Sequence, residues 1–262
     1  MRQRILDQLP SDHPWRERIQ VHEVLDSTNS YAKELARQGA AEGTVVIAGH
    51  QTAGRGRLGR SFHSPKNTGL YFSLILRPDC PADQLMHLTC AAAVASCDAV
   101  ERACGLRPGI KWINDLTMES KKLGGILTEL SFGTDGKIAY AVIGIGINCH
   151  PETLPEELQG LACSLSDFTD PVDIARLASE LLLALEEMNR QLLTDRVNIM
   201  ECYRQNCVTL GRQVRVISPQ GTETGIAQQV NDDGSLRVLF EKGQQKDVNS
   251  GEVSVRGLWD YL

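Results

Sequence analysis

Apolar and polar positions divide the chain into a long α+β portion and a short all-β tail. Val45-Val46-Ile47-Ala48, entered from Thr44, is an unbroken apolar run, the mark of a buried strand. Leu70-Tyr71-Phe72-Ser73-Leu74-Ile75-Leu76 predicts a second, ended by Pro78. Ile110-Lys111-Trp112-Ile113, residues 121–130 and residues 137–148 predict three more, the last two joined through the turn signal Gly133-Thr134-Asp135-Gly136. Residues 21–25 alternate weakly and predict a further strand, and residues 1–15 read as a short helix or arm bounded by Pro10 and Pro14.

Helical periodicity runs over residues 82–103, where Leu85, Leu88, Ala92, Ala95, Ala99 and Ala103 share a face and Gly105 ends the run. So many alanines imply close packing on a sheet. Residues 173–191 and 197–207 predict two more helices, after a loop-rich stretch at 150–169. Asp26-Ser27-Thr28-Asn29 precedes a helix over residues 27–38, with Gly39 just past its end. One capping residue suffices there. The surplus polar groups are either plain capping or hydrogen-bonding groups for a neutral polar ligand.

From Gly211 the pattern changes to short strands at 213–217, 225–231, 236–240, 245–248 and 253–255, separated by Gly221, Asp233-Gly234 and Gly243. The expected fold is α+β: a mixed β-sheet backed by helices over residues 1–208, then a small β-barrel over 209–262.

Composition narrows the functions. With 262 residues and 42% hydrophobic content the chain can bury a sizeable core. A net charge of −6 argues against a broad basic face for nucleic acid. The charged start Met1-Arg2-Gln3-Arg4 lacks the apolar core of a signal peptide, and no apolar run is long enough to span a bilayer, so a cytoplasmic location without membrane association is expected. The eight cysteines contain no CxxC pair. Cys90, Cys97 and Cys104 recur every seven residues on one helical stripe and read as buried small residues, so no metal site is assigned.

Against that acidic background, Gln51-Thr52-Ala53-Gly54-Arg55-Gly56-Arg57-Leu58-Gly59-Arg60 is locally cationic. Gly54-x-Gly56-x-x-Gly59 formally matches a dinucleotide fingerprint, but no helix opens inside it and no carboxylate lies on the strand about 20 residues later. The GK[ST] ending of a P-loop is also missing. The arginines are therefore read as the anion ligands themselves. Arg55 and Arg57 stand two apart, which in an extended loop points both the same way. A second cationic group comprises Lys111 and Lys121-Lys122, where Lys122 precedes Leu123-Gly124-Gly125 and bare backbone leaves room for a ligand. For Lys122 alone, function and surface charge are equally good readings. Gly144 and Gly146 fall two apart on one strand face, where a flat group can approach the backbone. No nucleophile–base pair is assignable, so chemistry by positioning and charge neutralisation is expected.

Taken together, Asp26-Ser27-Thr28-Asn29, the Gln51 to Arg60 element, Ser64-Pro65, Leu70-Tyr71-Phe72-Ser73, Lys111-Trp112-x-Asn114-Asp115, Lys122-Leu123-Gly124-Gly125-Ile126-Leu127, Gly144-Ile145-Gly146-Ile147-Asn148 and Gly251-Glu252-Val253-Ser254-Val255-Arg256 resemble, in order, the motifs of biotin protein ligases. The resemblance implies a class II synthetase-like ligase core and an SH3-like C-terminal barrel. It also implies a two-step reaction: biotin and ATP form biotinyl-5′-AMP, and biotin then passes to a lysine of a biotin carboxyl carrier domain. Mg²⁺ would accompany ATP.

By the same resemblance Ser27, Thr28, Asn29, Gln51, Arg55, Gly56, Arg57, Lys122 and Gly124 are biotin-binding candidates. Arg57, Arg60, Trp112, Asn114, Asp115, Gly144, Gly146 and Asn148 are nucleotide-binding candidates, and Lys122, Arg57 and Lys111 are catalytic candidates. Ile113 stands where the family usually has proline, and Phe62 where tryptophan is common; both keep apolar bulk. The 25 residues before Asp26 are too few for the DNA-binding module some members carry, so a repressor role is not expected. A homodimer is compatible with the resemblance. The alternatives are a lipoate-type ligase and a biotin-binding sensor without turnover; the presence of both Arg57 and Lys122 speaks against the sensor.

Overall fold

A computed structural model describes residues 1–134, 136–151, 159–219, 221–241, 243–249 and 254–257. Asp135 of the expected turn, Pro155 of the expected loop, and Val253 of the last expected strand lie outside the described residues.

The larger sheet comprises β1 (Ile19–His22), β2 (Val45–Ala48), β3 (Gly69–Leu76), β4 (Gly109–Lys111), β5 (Asp115–Met118), β6 (Lys121–Phe132) and β7 (Ile138–Asn148). Its order is β1-β2-β3-β7-β6-β5-β4. Among the described strands of this sheet β1 and β2 pair in parallel and the other neighbours antiparallel, so the sheet is mixed. Helices are α1 (Arg2–Leu6), α2 (Thr28–Arg37), α3 (Leu88–Cys104), α4 (Ile174–Gln191) and α5 (Arg196–Asn206).

Strand alternation assigns the faces. Leu70, Phe72, Leu74 and Leu76 of β3 join the main core with α1, α3 and α4. Ile75, with Val46, Val142 and Tyr140, instead packs against Ala32 and Ala36 of α2. The sheet thus has most of its helices on one face and α2 on the other, and α2 leaves part of its face uncovered.

The expected helix at 82–103 is divided. Ala82–Leu85 forms a 3-10 turn, and α3 starts only at Leu88, with His87 at its N-cap. The His87 ring is fully buried, and its Nε2 lies 2.9 Å from the Leu192 carbonyl beyond the end of α4. That tertiary hydrogen bond fixes the break, which periodicity cannot register. Gly105 ends α3 as expected, in the left-handed conformation with φ 70°. The strand expected at 110–113 stops at Lys111, because the Trp112 amide donates to Thr209 Oγ1 at 2.9 Å instead of to a neighbouring strand. The Trp112–Ile113 peptide is cis.

The tail is an antiparallel sheet of β8 (Gln213–Ser218), β9 (Gly221–Val230), β10 (Leu236–Phe240), β11 (Gln245–Val248) and β12 (Ser254–Gly257), ordered β11-β10-β9-β8-β12. This small unit fits an SH3-like domain; among the described residues no pairing of β11 with β12 closes it into a barrel. It is fastened to the larger portion by the Trp112 indole, which donates to the Gly234 carbonyl at 2.9 Å.

Cys90 and Cys97 are fully buried on the α3 stripe, and Cys104 is half-buried. Burial pushes the Cys97 and Cys149 thiols up to about 12, so both stay protonated and inert. Among the described residues no group of three or more His, Cys, Asp or Glu could hold a metal, and no helix is long and apolar enough to cross a membrane.

Burial holds His13 and His87 below the ordinary imidazole value of 6.5. Both are neutral when folded and gain protons on unfolding, so the unfolded state binds more protons as pH falls through the ordinary value. Stability is therefore expected to drop between pH 7.5 and pH 5.5, and His87→Gln to flatten that drop. Thermal melts of the two proteins at both pH values check this; equal pH slopes would contradict it.

Candidate functional site

A cleft of about 790 Å³ opens on the α2 side of the large sheet. Its floor is where β3, β7 and β6 run side by side. Ser73 is paired with Gly144 and Tyr71 with Gly146; across the next strand, Leu127 faces Gly144 and Gly125 faces Gly146. A β-carbon on Gly144 would come 2.1 Å from Asn29 Oδ1, and one on Gly146 would come 2.5 Å from the Phe62 ring. The two bare positions therefore let these side chains lie directly on the sheet. The flat group anticipated over the glycines is, at Gly146, an aromatic ring of the protein itself.

One end of the cleft is the N-terminus of α2. Ser27 is its cap, its Oγ accepting from the Ser30 amide at 3.4 Å. The Thr28 amide donates to Gln51 Oε1 at 2.8 Å, and Gln51 Nε2 donates to Ser64 Oγ at 2.8 Å. Behind them Ser73 Oγ lies 2.6 Å from Asn29 Oδ1 and 2.8 Å from Thr28 Oγ1. Ser27 alone caps the helix, so the surplus polar groups of this stretch form a buried network that reaches the sheet. Ser73, Ser64 and Glu129 belong to it and were not among the sequence candidates. Ser64 and Ser73 fall in the resembling stretches Ser64-Pro65 and Leu70 to Ser73 but were given no site role, and Glu129 showed only as one carboxylate in the middle of β6.

The opposite end is charged. Arg57 donates to Asn114 Oδ1 at 2.9 Å, Asn114 Nδ2 donates to Asp115 Oδ1 at 3.2 Å, and Lys122 Nζ pairs with the same Asp115 oxygen at 2.7 Å. Lys111 is buried and also borders the cleft. Burial lowers the Arg57 guanidinium from its ordinary value, with Asp115 opposing the shift. Arg57 nonetheless keeps its charge at neutral pH.

The expectation that Arg55 and Arg57 point the same way is corrected. A turn at Arg57–Gly59, with Leu58 at φ 55°, takes the chain out of the extended conformation. Arg57 accordingly reaches Asn114, whereas Arg55 lies 3.9 Å from Glu129 at the α2 end.

Of the other candidates, Gly56, Arg60 and Trp112 line the cleft with the residues above. The indole N–H of Trp112 is already bonded to Gly234, so only its ring is available. Gly124 and Asn148 are outside the cleft lining. A β-carbon on Gly124 would meet the Gly146 carbonyl at 2.4 Å, so its bareness serves strand packing, and Gly125 is the glycine that borders the cleft. Asn148 lies in an adjoining cavity of about 200 Å³ that shares Phe62 and Lys122 with the main cleft. Arg215 and Val255 of the tail sheet also line the main cleft; Val255 lies in the resembling Gly251 to Arg256 stretch but was given no site role, and Arg215 was not marked.

One end of the cleft is thus lined mainly by hydroxyls and amides and the other by a cluster of cations. Residues 21–148 match the biotin/lipoate A/B protein ligase family, and residues 209–256 match the biotin protein ligase C terminal domain. Over 238 residues the chain is 39% identical to the bifunctional ligase/repressor BirA of Bacillus subtilis, a match covering 89% of this chain and 73% of that protein. It is 35% identical over 246 residues to the biotin--[acetyl-CoA-carboxylase] ligase of Mycobacterium tuberculosis, covering 91% of this chain and 89% of that one. The biotin protein ligase from Aquifex aeolicus, solved in complex with biotin and ATP, aligns with a TM-score of 0.79 at 28% identity, covering 92% of this chain and 100% of that chain. The chain belongs to the biotin protein ligase family.

Replacing Ser73 by alanine removes the donor to Asn29 Oδ1 inside a fully buried network. A loss of about 1–3 kcal/mol is expected in urea unfolding. An unchanged midpoint would show that the network carries no stability.

Proposed function

We propose that the cleft is where this ATP-dependent biotin protein ligase joins biotin to ATP and then passes biotin to a lysine of a biotin carboxyl carrier domain. The observation that carries the reading is the pairing, in one cleft, of a hydrogen-bonding α2 terminus with a cluster of Arg57, Lys111 and Lys122. Biotin's ring suits the first end and its carboxylate the second.

In the first step a carboxylate oxygen of biotin attacks the α-phosphorus of ATP and pyrophosphate leaves. In the second, a carrier lysine amine attacks the acyl carbon, AMP leaves and the amine loses its proton. Two anions must meet in the first step, and their repulsion is the barrier that fixed cations lower. Lys122 and Arg57 are assigned to the carboxylate and the reacting phosphate, and Lys111 to the charge behind them. Asp115 orients Lys122 through its 2.7 Å ion pair, and Asn114 orients Arg57. The smaller cavity, with the Phe62 ring on one side and the Asn148 amide in its lining, suits the adenine. Asp115, a carboxylate lining the charged side of the cleft, fits a hard, oxygen-seeking ion, and would help hold Mg²⁺, which would neutralise phosphate charge. The reaction belongs in the cytoplasm, where ATP is supplied, and a homodimer is compatible with it.

Incubation with biotin, ATP, Mg²⁺ and a carrier domain is expected to give an avidin-reactive carrier and biotin-dependent pyrophosphate exchange. Mass measurement of the carrier separates biotin from lipoate. Absence of both products would remove the reading, and biotin binding without exchange would favour a sensor.

Lys122→Met is expected to lower kcat for pyrophosphate exchange by about 10²–10³-fold, as loss of one oriented transition-state donor does. Arg57→Ala is expected to release biotinyl-5′-AMP faster, by about tenfold, because removing a charge-assisted contact costs on the order of 1.5 kcal/mol or more. A filter-retention chase of labelled intermediate measures this, and unchanged release would contradict it.

A further inference from the structure

Glu129 is a carboxylate in the middle of β6, and no part of the reaction above uses it. Its side chain is only 23% exposed. Oε1 pairs with Lys33 Nζ of α2 at 2.8 Å, and Arg55 Nη2 lies 3.9 Å away. Oε2 accepts from Asn29 Nδ2 at 3.0 Å, and the same amide nitrogen donates to the Leu127 carbonyl at 3.2 Å. Burial pushes the Glu129 carboxyl up, but the hydrogen bonds from Lys33 and Asn29 and the charges of Lys33 and Arg55 outweigh it, and the net direction is down. The group is ionised at neutral pH and can only accept hydrogen bonds.

That sets the orientation of Asn29. A primary amide has two N–H donors and one acceptor oxygen. Both donors of Asn29 face acceptors that cannot donate, the Glu129 carboxylate and the Leu127 carbonyl. Turning the amide over would place its oxygen against both. The Ser73 hydroxyl, 2.6 Å from Oδ1, completes the fixed arrangement. The hydrogen-bonding capacity left on the Asn29 side chain is the second lone pair of Oδ1, which takes a donor from a ligand and refuses an acceptor.

We propose that Glu129, held by Lys33, is a positioning residue that fixes the Asn29 amide so that this end of the cleft selects a ligand presenting an N–H. The proposal rests on the reading that biotin's ring occupies the α2 end, since its cyclic urea carries two N–H groups. Glu129→Gln removes the charge and offers a donor of its own, so one of the two acceptors that hold the Asn29 amide is lost and only the Leu127 carbonyl still opposes its turning over.

The test compares biotin with biotin methylated on one or the other ring nitrogen, by calorimetric titration and by pyrophosphate exchange, for the unaltered protein and Glu129→Gln. In the unaltered protein at least one methylated form is expected to bind about tenfold or more weaker than biotin. In Glu129→Gln, KM for biotin is expected to rise about tenfold or more, KM for ATP and kcat to stay within about threefold, and the discrimination against the methylated form to shrink severalfold. A merely structural role would move Tm without changing the discrimination. Unchanged discrimination in a folded Glu129→Gln protein overturns the proposal. If that variant does not fold, Lys33→Gln carries the test, with the same split at smaller size expected and unchanged discrimination again decisive against it. Failure of the unaltered protein to bind biotin at all would instead sink the reading of the α2 end on which the proposal rests.

Discussion

The site depends on the absence of side chains at two positions of one strand. At Gly144 and Gly146 the central sheet has a bare surface, on which Asn29 from α2 and Phe62 from the cationic loop come to rest. Any larger residue would lift both, because the clearances to a β-carbon are 2.1 and 2.5 Å. The start of α2 is then secured by hydrogen bonds to β3 and β6, through Ser73, Leu127 and Glu129. A helix terminus, a loop and a sheet meet at one place because that patch of strand carries nothing.

On this support the cleft is electrostatically divided. Its α2 end is a network of hydroxyls and amides, with the carboxylate of Glu129 facing Lys33 and Arg55. Its other end holds Arg57, Lys111 and Lys122 with Asp115 as a shared counter-charge. Buried cations without such a partner would be costly. A single carboxylate keeps Lys122 oriented and still leaves the cluster net positive. The loop arginines are not equivalent: Arg55 lies near Glu129 at the α2 end, and Arg57 reaches Asn114 at the other.

Much of the fold could be read along the chain. β3, β7 and α4 follow from apolar runs and helical periodicity, and Ser27 and Gly105 mark helix ends through local geometry. The misreadings share a cause. The helix over 82–103 is interrupted because His87 bonds to Leu192, more than a hundred residues later. The strand after Gly109 stops because Trp112 bonds to Thr209. Propensity and period are local quantities, and neither contains a partner that distant.

The same division holds for the site. The chain alone marked the cationic loop and the surplus polar residues before α2, because clustering of charge and glycine is local in sequence, while Lys122 and the Lys111 to Asp115 element took their roles from the family resemblance. Only the tertiary structure decided that Gly125 and not Gly124 borders the cleft, that Asn148 lies in the adjoining cavity, and that Arg215 and Val255 come in from the tail sheet. Strand register and the docking of one sheet on another set those facts, and a one-residue shift of register exchanges the two faces of a strand. Ser73 and Glu129 are the clearest cases. Each is one polar residue in an apolar context, and each acquires its role only when folding places it against Asn29.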